Sequence, residues 1–171
     1  MKINMIAVLV LVGFAFGGQA LVGYNYGSGN QKRFHEIVAF AYKFEAAIAL
    51  CISISLYIFA PFLVKAFFDD MALISLGTLL VSLLLLGMIF VAVVLISTCI
   101  FQATGKAVEA FILSASRQGF LFAIVLFLAS KTAGYYGILA SQAISDCLTA
   151  VIAVILFRRL FHSLRAEKTI E

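Results

Sequence analysis

Five apolar stretches of about 20 residues or more follow one another along a chain of 171 residues. The third, Ala72 to Phe101, contains no acidic side chain. A helix of about 20 apolar residues crosses the hydrocarbon core of a bilayer. Lipid offers the backbone no hydrogen-bond partner, so runs of this length must be helices. Barrel strands would be about half as long and would alternate in polarity. Composition agrees, with 64% hydrophobic and 12% charged residues, where a soluble domain has roughly 45–50% and about 25%. The mean hydropathy of +1.15 spreads this excess along the whole chain. A water-soluble globule is excluded, and no room remains for a soluble catalytic domain. The predicted fold is all-α, a polytopic membrane helix bundle of five transmembrane helices forming one domain over residues 1–171.

Polar interruptions set the expected boundaries. The first span covers about Ile3 to Tyr24 and breaks in the string Gly23 to Asn30, where three glycines and two asparagines favour a turn. Lys2 and the apolar run after it look like a secretory signal, but apolar character continues through Leu21, Val22 and Tyr24, so the segment reads as a span. The second span covers about Ile37 to Leu63, ending near the only proline, Pro61, with Asp69-Asp70 marking the next loop. The third is Ala72 to Phe101. The fourth covers about Val108 to Ala129 and stops at Ser130-Lys131-Thr132-Ala133-Gly134, a turn short enough to join antiparallel neighbours. The fifth, about Gly137 to Phe157, leads into a basic tail.

Cations sort by side. Lys32, Arg33, Lys43, Lys106, Arg158, Arg159, Arg165 and Lys168 follow the odd-numbered spans, whereas Lys2, Lys65 and Lys131 lie on the other side. The excess predicts an amino terminus outside and a carboxyl terminus in the cytoplasm, in a multi-pass protein of the cell (inner) membrane. The tail from Arg158 to Lys168 mixes cations with Leu160, Phe161 and Leu164 and reads as a surface-lying anchor against membrane lipids. Nucleic acid is not an expected partner. Cys51, Cys99 and Cys147 lie within apolar stretches and read as small hydrophobes.

Charges inside spans need an explanation, because each costs about 2.5–3.5 kcal/mol at mid-helix and is rarely left unpaired. Arg117 lies roughly 13 Å, and Asp146 roughly 16 Å, from the same membrane edge, which predicts an interhelical pair. Its simpler role is to lock neighbouring helices, and its other role is in handling substrate or protons. Gln142 and Asp146 are four apart and share a helix face, as do Ser114 and Gln118, and both faces are expected to point into the bundle. Such groups serve as interhelical glue worth about 0.6 kcal/mol each, or as cavity lining. Gln19 has the same two readings. Glu45, roughly 12 Å deep, reads as a proton-responsive carboxylate or as the satisfied partner of Lys43 or a neighbouring helix. The Gly23-Tyr24-Asn25-Tyr26-Gly27 turn is a helix terminator with interfacial tyrosines, or a gate hinge. It lacks the Gly-Lys-Ser/Thr ending of a nucleotide loop. His35 and His162 form no metal-ligand pattern, and no catalytic residue, metal or cofactor is assigned.

Gly18-Gln19-Ala20-Leu21-Val22-Gly23-Tyr24-Asn25-Tyr26-Gly27-Ser28-Gly29-Asn30, followed by Lys32-Arg33, resembles a motif of multidrug and toxic compound extrusion (MATE) transporters that closes the second helix of their carboxyl-terminal lobe. Phe101-Gln102-Ala103-Thr104-Gly105-Lys106, with Arg117-Gln118 beyond it, and Gly137-Ile138-Leu139-Ala140-Ser141-Gln142 leading to Asp146, match in the same order. The resemblance implies a twelve-helix antiporter of two six-helix lobes, exporting cationic and often aromatic compounds against protons or sodium, to which this chain supplies helices eight to twelve. It also implies that the amino-terminal lobe and the seventh helix come from elsewhere, so the chain alone is not expected to transport. Family members place ion-coupling carboxylates in the first helix, or in the seventh and tenth, and the matching tenth-helix segment here has none. The alternatives are a truncated structural or interaction subunit that pairs with another membrane chain, and a fragment of a lipid or oligosaccharide flippase. An intramembrane enzyme is the weakest reading, since paired catalytic groups are not found.

Overall fold

The computed structural model describes residues 2–65 and 71–167. Among these residues the chain is almost wholly helical: α1 (Lys2–Gly27), α2 (Gln31–Lys65), α3 (Met71–Leu86), α4 (Met88–Ala103), α5 (Ala107–Gln118) and α6 (Phe120–Glu167). Asp69-Asp70 and Lys168, with the side chains of Lys2, His162 and Arg165, lie outside the described residues.

The first expected boundary shifts. Helix α1 runs to Gly27, so Gly23, Tyr24, Asn25, Tyr26 and Gly27 form its last turns and not a turn between helices. The Asn25 amide donates to the Leu21 carbonyl at 2.8 Å, which removes its usual motive for leaving the helix. The reversal falls on Ser28-Gly29-Asn30: Gly29 takes φ +70°, and Asn30 Oδ1 accepts from the Arg33 N–H at 3.1 Å, capping α2. Helix α2 continues past Pro61 to Lys65, roughly 52 Å in all. Its end packs on α3, with Val64 buried against Gly77, and about three turns earlier the Ser53 hydroxyl donates to the Leu85 carbonyl at 3.1 Å.

The expected third span is broken at Gly87, where Ile74–Leu86 and Met88–Ala103 meet at 41°. A Cβ at Gly87 would come within 3.3 Å of the Leu84 carbonyl oxygen and 3.5 Å of Ala143 Cα, so the bend coincides with a close approach of α6. After α4, Gly105 at φ +74° and the Lys106 N–H, bonded to the Phe101 carbonyl at 2.8 Å, close the helix in a Schellman turn.

Gly119 separates α5 from α6, and Gly134 bends α6 at φ 54°, ψ −128°, a conformation that favours glycine. A Cβ on Gly137 would overlap the Ala129 carbonyl oxygen, whereas a straight helix holds residues eight apart about 12 Å from each other. The chain therefore doubles back, and α6 is a hairpin with arms 120–133 and 135–167. Ser130 and Thr132 stay helical, their hydroxyls bonded to the Phe127 and Leu128 carbonyls.

Asn4–Gly27, Gln31–Lys65 and Ala107–Leu160 are each long and apolar enough to cross a membrane, and the bent α3–α4 pair makes a fourth such unit. The last of the three has 54 residues, roughly 81 Å as one rod and more than twice a hydrocarbon core. Folded at Gly134, it supplies two crossings, and the count becomes five.

Helix α4 is the centre, packed on α1, α2, α5 and α6. Ten of its residues are buried, which accounts for a sequence apolar on all sides. One core cluster gathers Val22, Phe34, Val38, Phe101, Ala110 and Leu160, and a second gathers Ala7, Leu11, Ala60, Val64, Val81 and Met88. The α1–α2 turn, the α4–α5 turn and the end of α6 that carries Arg158-Arg159 thus share one end of the bundle. Outward faces stay apolar, with Phe62, Phe111 and Phe120 exposed, as suits a chain solvated by lipid.

Candidate functional site

Helix α5 turns Ala110, Leu113 and Arg117 inward at spacings of three and four. The Arg117 Nε donates to Asp146 Oδ1 at 3.1 Å, and both side chains are buried. One turn before Asp146, the Gln142 amide nitrogen lies 3.4 Å from each carboxylate oxygen. A charge pair with an amide at its side is a compact neutral unit that ties α5 to the second arm of α6. Ser114 and Gln118 do not join it. Both are exposed, because they sit one step around the helix from the Leu113–Arg117 face; Ser114 therefore does not point into the bundle as expected, whereas Gln118 borders the cavity described next.

Beside this unit lies a cavity of about 640 Å³ walled by α1, α3, α5 and both arms of α6. Arg117, Gln118, Ser141 and Gln142 line it together with Asn4, whose Oδ1 is buried with no hydrogen-bond partner among the described residues. Apolar groups such as Leu84, Phe122 and Leu126 complete the wall. The arrangement suits a molecule with a greasy body and a few polar atoms.

Glu45 is elsewhere. It is 1% exposed, and its Oε1 is buried with no hydrogen-bond partner among the described residues. Lys43 is exposed on another face of α2, so it is not the partner of Glu45. Glu45 borders a second cleft, of about 290 Å³, between α1, α2 and α4. Gln19 lines the same cleft and donates to Gln102 Oε1 at 3.4 Å, joining α1 to α4. The candidate residues thus divide between two cavities.

The Gly23 to Gly27 string closes one end of the bundle. A Cβ on Gly23 would stand 3.4 Å from the Ala103 carbonyl oxygen, so glycine lets α1 approach α4. Tyr26 packs on Phe34 with ring centroids 5.4 Å apart, and Tyr24 is exposed. Among the described residues no group of three metal-ligating side chains occurs.

Sequence reasoning passed over three features. Asn4 is one, and no local pattern marks it. The second is Tyr42, whose hydroxyl lies 2.7 Å from Ser97 Oγ. Ser97 already donates to the Val93 carbonyl, so Tyr42 donates to Ser97 and links α2 to α4. The third is the ring cluster Phe14, Phe40 and Phe44 beside Glu45. The spacing of Phe40 to Phe44 and of Tyr42 to Glu45 was a signal that these residues share faces.

A family model, MatE, matches residues 1–128, which takes in α1 to α5 and much of the first arm of α6. The chain belongs to the MatE family. Multidrug export protein MepA of Staphylococcus aureus (strain bovine RF122 / ET3-1) is 24% identical over 148 residues, covering 86% of this chain and 32% of that protein. Multidrug export protein MepA of Staphylococcus haemolyticus (strain JCSC1435) is 23% identical over 160 residues, covering 94% of this chain and 35% of that protein. This MatE chain spans about a third of the length of the curated relatives it matches. No solved structure matches it. The MatE match contains Gln19, Glu45, Arg117 and Gln118, whereas Gln142 and Asp146 lie beyond it.

Proposed function

We propose that this MatE chain forms part of a secondary active antiporter of the cell membrane that exports cationic, often aromatic compounds in exchange for protons or sodium. The observation that carries this reading is the alignment of 86% of the chain with proteins named for multidrug export. The cavity beside Arg117 and Asp146 supports it, since a mostly apolar pocket with a few polar groups accepts amphiphilic cargo. The breaks at Gly87 and Gly134 lie on the helices that wall the cavity, where rocking of helix groups would open it to either side. The Gly23 to Gly27 end, near the cytoplasm in this reading, acts as a gate. Membrane lipids surround the bundle, and a second lobe, or another membrane chain, completes the path.

Ethidium efflux tests the reading in cells expressing the chain alone and the chain joined to an amino-terminal MatE lobe. The chain alone is expected to leave ethidium inside, and the fusion to expel it. Efflux by the chain alone would contradict the need for a second lobe. Equal ethidium retention with and without the fusion would overturn export.

A further inference from the structure

We infer that the cavity beside Arg117 binds an uncharged chain amphiphile whose polar head both accepts and donates hydrogen bonds, as a primary carboxamide or an alcohol does. This ligand class goes beyond the cations of the export reading, and its binding does not rest on export.

The two halves of the ion pair are placed unequally. Arg117 is the one charged side chain among the residues that line the cavity, whereas its counter-ion Asp146, 4% exposed, does not line it. The pair closes through Nε and Oδ1, which leaves both Nη groups of Arg117 to other acceptors. Gln142 spends its amide nitrogen on the Asp146 carboxylate, and Ser141 donates to the Ile138 carbonyl at 2.7 Å, so each has an acceptor oxygen left for a ligand. Asn4, on α1, adds another acceptor, since Oδ1 is buried with no hydrogen-bond partner among the described residues. Donors and acceptors thus border one space whose charges cancel.

The chemistry selects the ligand class. A cationic head meets the guanidinium and is kept from the carboxylate behind it. An anionic head meets a guanidinium that Asp146 already neutralises, so one negative charge stays uncompensated within the span, where a lone charge is expensive. A plain hydrocarbon leaves the polar groups without partners. A primary carboxamide gives its carbonyl to an Arg117 Nη group and its N–H to the Gln142 oxygen without adding charge. Leu84, Phe122 and Leu126 pack its chain, and a volume of about 640 Å³ lies within the range of ligand pockets. The cavity also has a way in from the lipid. Helix α1 does not pack directly on α5 or α6, and Met5, Leu9 and Ile138, which line the cavity at this gap, are 63%, 56% and 47% exposed within apolar spans. A chain amphiphile dissolved among the acyl chains enters there.

The test uses the full chain in lipid nanodiscs and equilibrium dialysis at pH 7, with uptake by empty nanodiscs subtracted. The probes share one chain length: octanamide, octanoate, octylammonium and N,N-dimethyloctanamide. Octanamide is expected to bind saturably, about tenfold or more tighter than either ion and several-fold tighter than the dimethyl analogue, which has no N–H. Gln142→Met removes the acceptor and should erase the difference between the two amides. Asp146→Asn leaves Arg117 without its counter-ion and should turn the preference from octanamide to octanoate, a reversal that a purely structural role for the pair does not produce. If Asp146→Asn does not fold, the probe series and Gln142→Met decide. Tightest binding of octylammonium, equal binding of the amide and the two ions, an unchanged difference between the amides in Gln142→Met, or no saturable binding at all would overturn the site. The readout is binding alone, so none of these results decides whether the MatE fusion expels ethidium.

Discussion

Arg117 and Asp146 are the residues whose pairing follows most directly from cost. Each is expensive alone in a span, and their depths along two neighbouring helices agree to within the reach of an arginine side chain. The structure joins them at 3.1 Å. Removing one partner leaves a buried charge without its counter-ion, so Arg117→Met is expected to destabilise the bundle by about 3 kcal/mol or more. Replacing both with apolar residues, Arg117→Met with Asp146→Leu, should cost less than either single change, and the swap Arg117→Asp with Asp146→Arg should recover stability lost in both singles. Urea unfolding in detergent micelles measures this, and singles as stable as the native chain would show that the pair holds nothing. Tyr42→Phe should cost only about 0.6 kcal/mol, the size of a typical interhelical hydrogen bond in lipid. The surroundings of Glu45 were not legible in the same way. A carboxylate on α2 is visible in the sequence, but its isolation depends on bare glycines of α1 and on the packing of α4, which one helix cannot foretell.

Among the elements, polar punctuation marked the ends of helices well and bends poorly. Ser130-Lys131-Thr132-Ala133-Gly134 announced a reversal, and the chain reverses at its last residue. Gly87 sits in an unbroken apolar run, so the bend there had no polar flag, and the Gly23 to Gly27 string looked like a turn although Asn25 bonds within its own helix. The same glycine inventory yields a graded test. Gly134→Ala should destabilise by about 1–3 kcal/mol, since alanine strains at that backbone conformation. Gly137→Ala should also destabilise, because its Cβ overlaps the Ala129 carbonyl and the two arms must part. Gly17→Ala faces open space and should be neutral or slightly stabilising, as alanine favours helix over glycine. Thermal unfolding of the three variants in micelles gives the order, and a Gly17→Ala loss equal to that of Gly137→Ala would contradict the hairpin packing.

At the scale of the molecule, the apolar excess fixed lipid as the solvent and helix as the only secondary structure, and the membrane bundle follows from those two facts. The number of crossings needed the structure as well, because Ala107–Leu160 is one apolar helical stretch by length and composition and two by geometry. The basic residues of the α1–α2 turn, the α4–α5 turn and the end of α6 gather at one end of the bundle, which five crossings require. Single-cysteine labelling tests this most directly. With Cys51, Cys99 and Cys147 replaced by alanine, Asn30→Cys, Lys106→Cys, Lys131→Cys and Arg159→Cys are probed in turn with a membrane-impermeant maleimide. The account predicts that only Lys131→Cys reacts from outside intact cells and that the other three react only after permeabilisation. Lys131→Cys and Arg159→Cys labelled from the same side would contradict it.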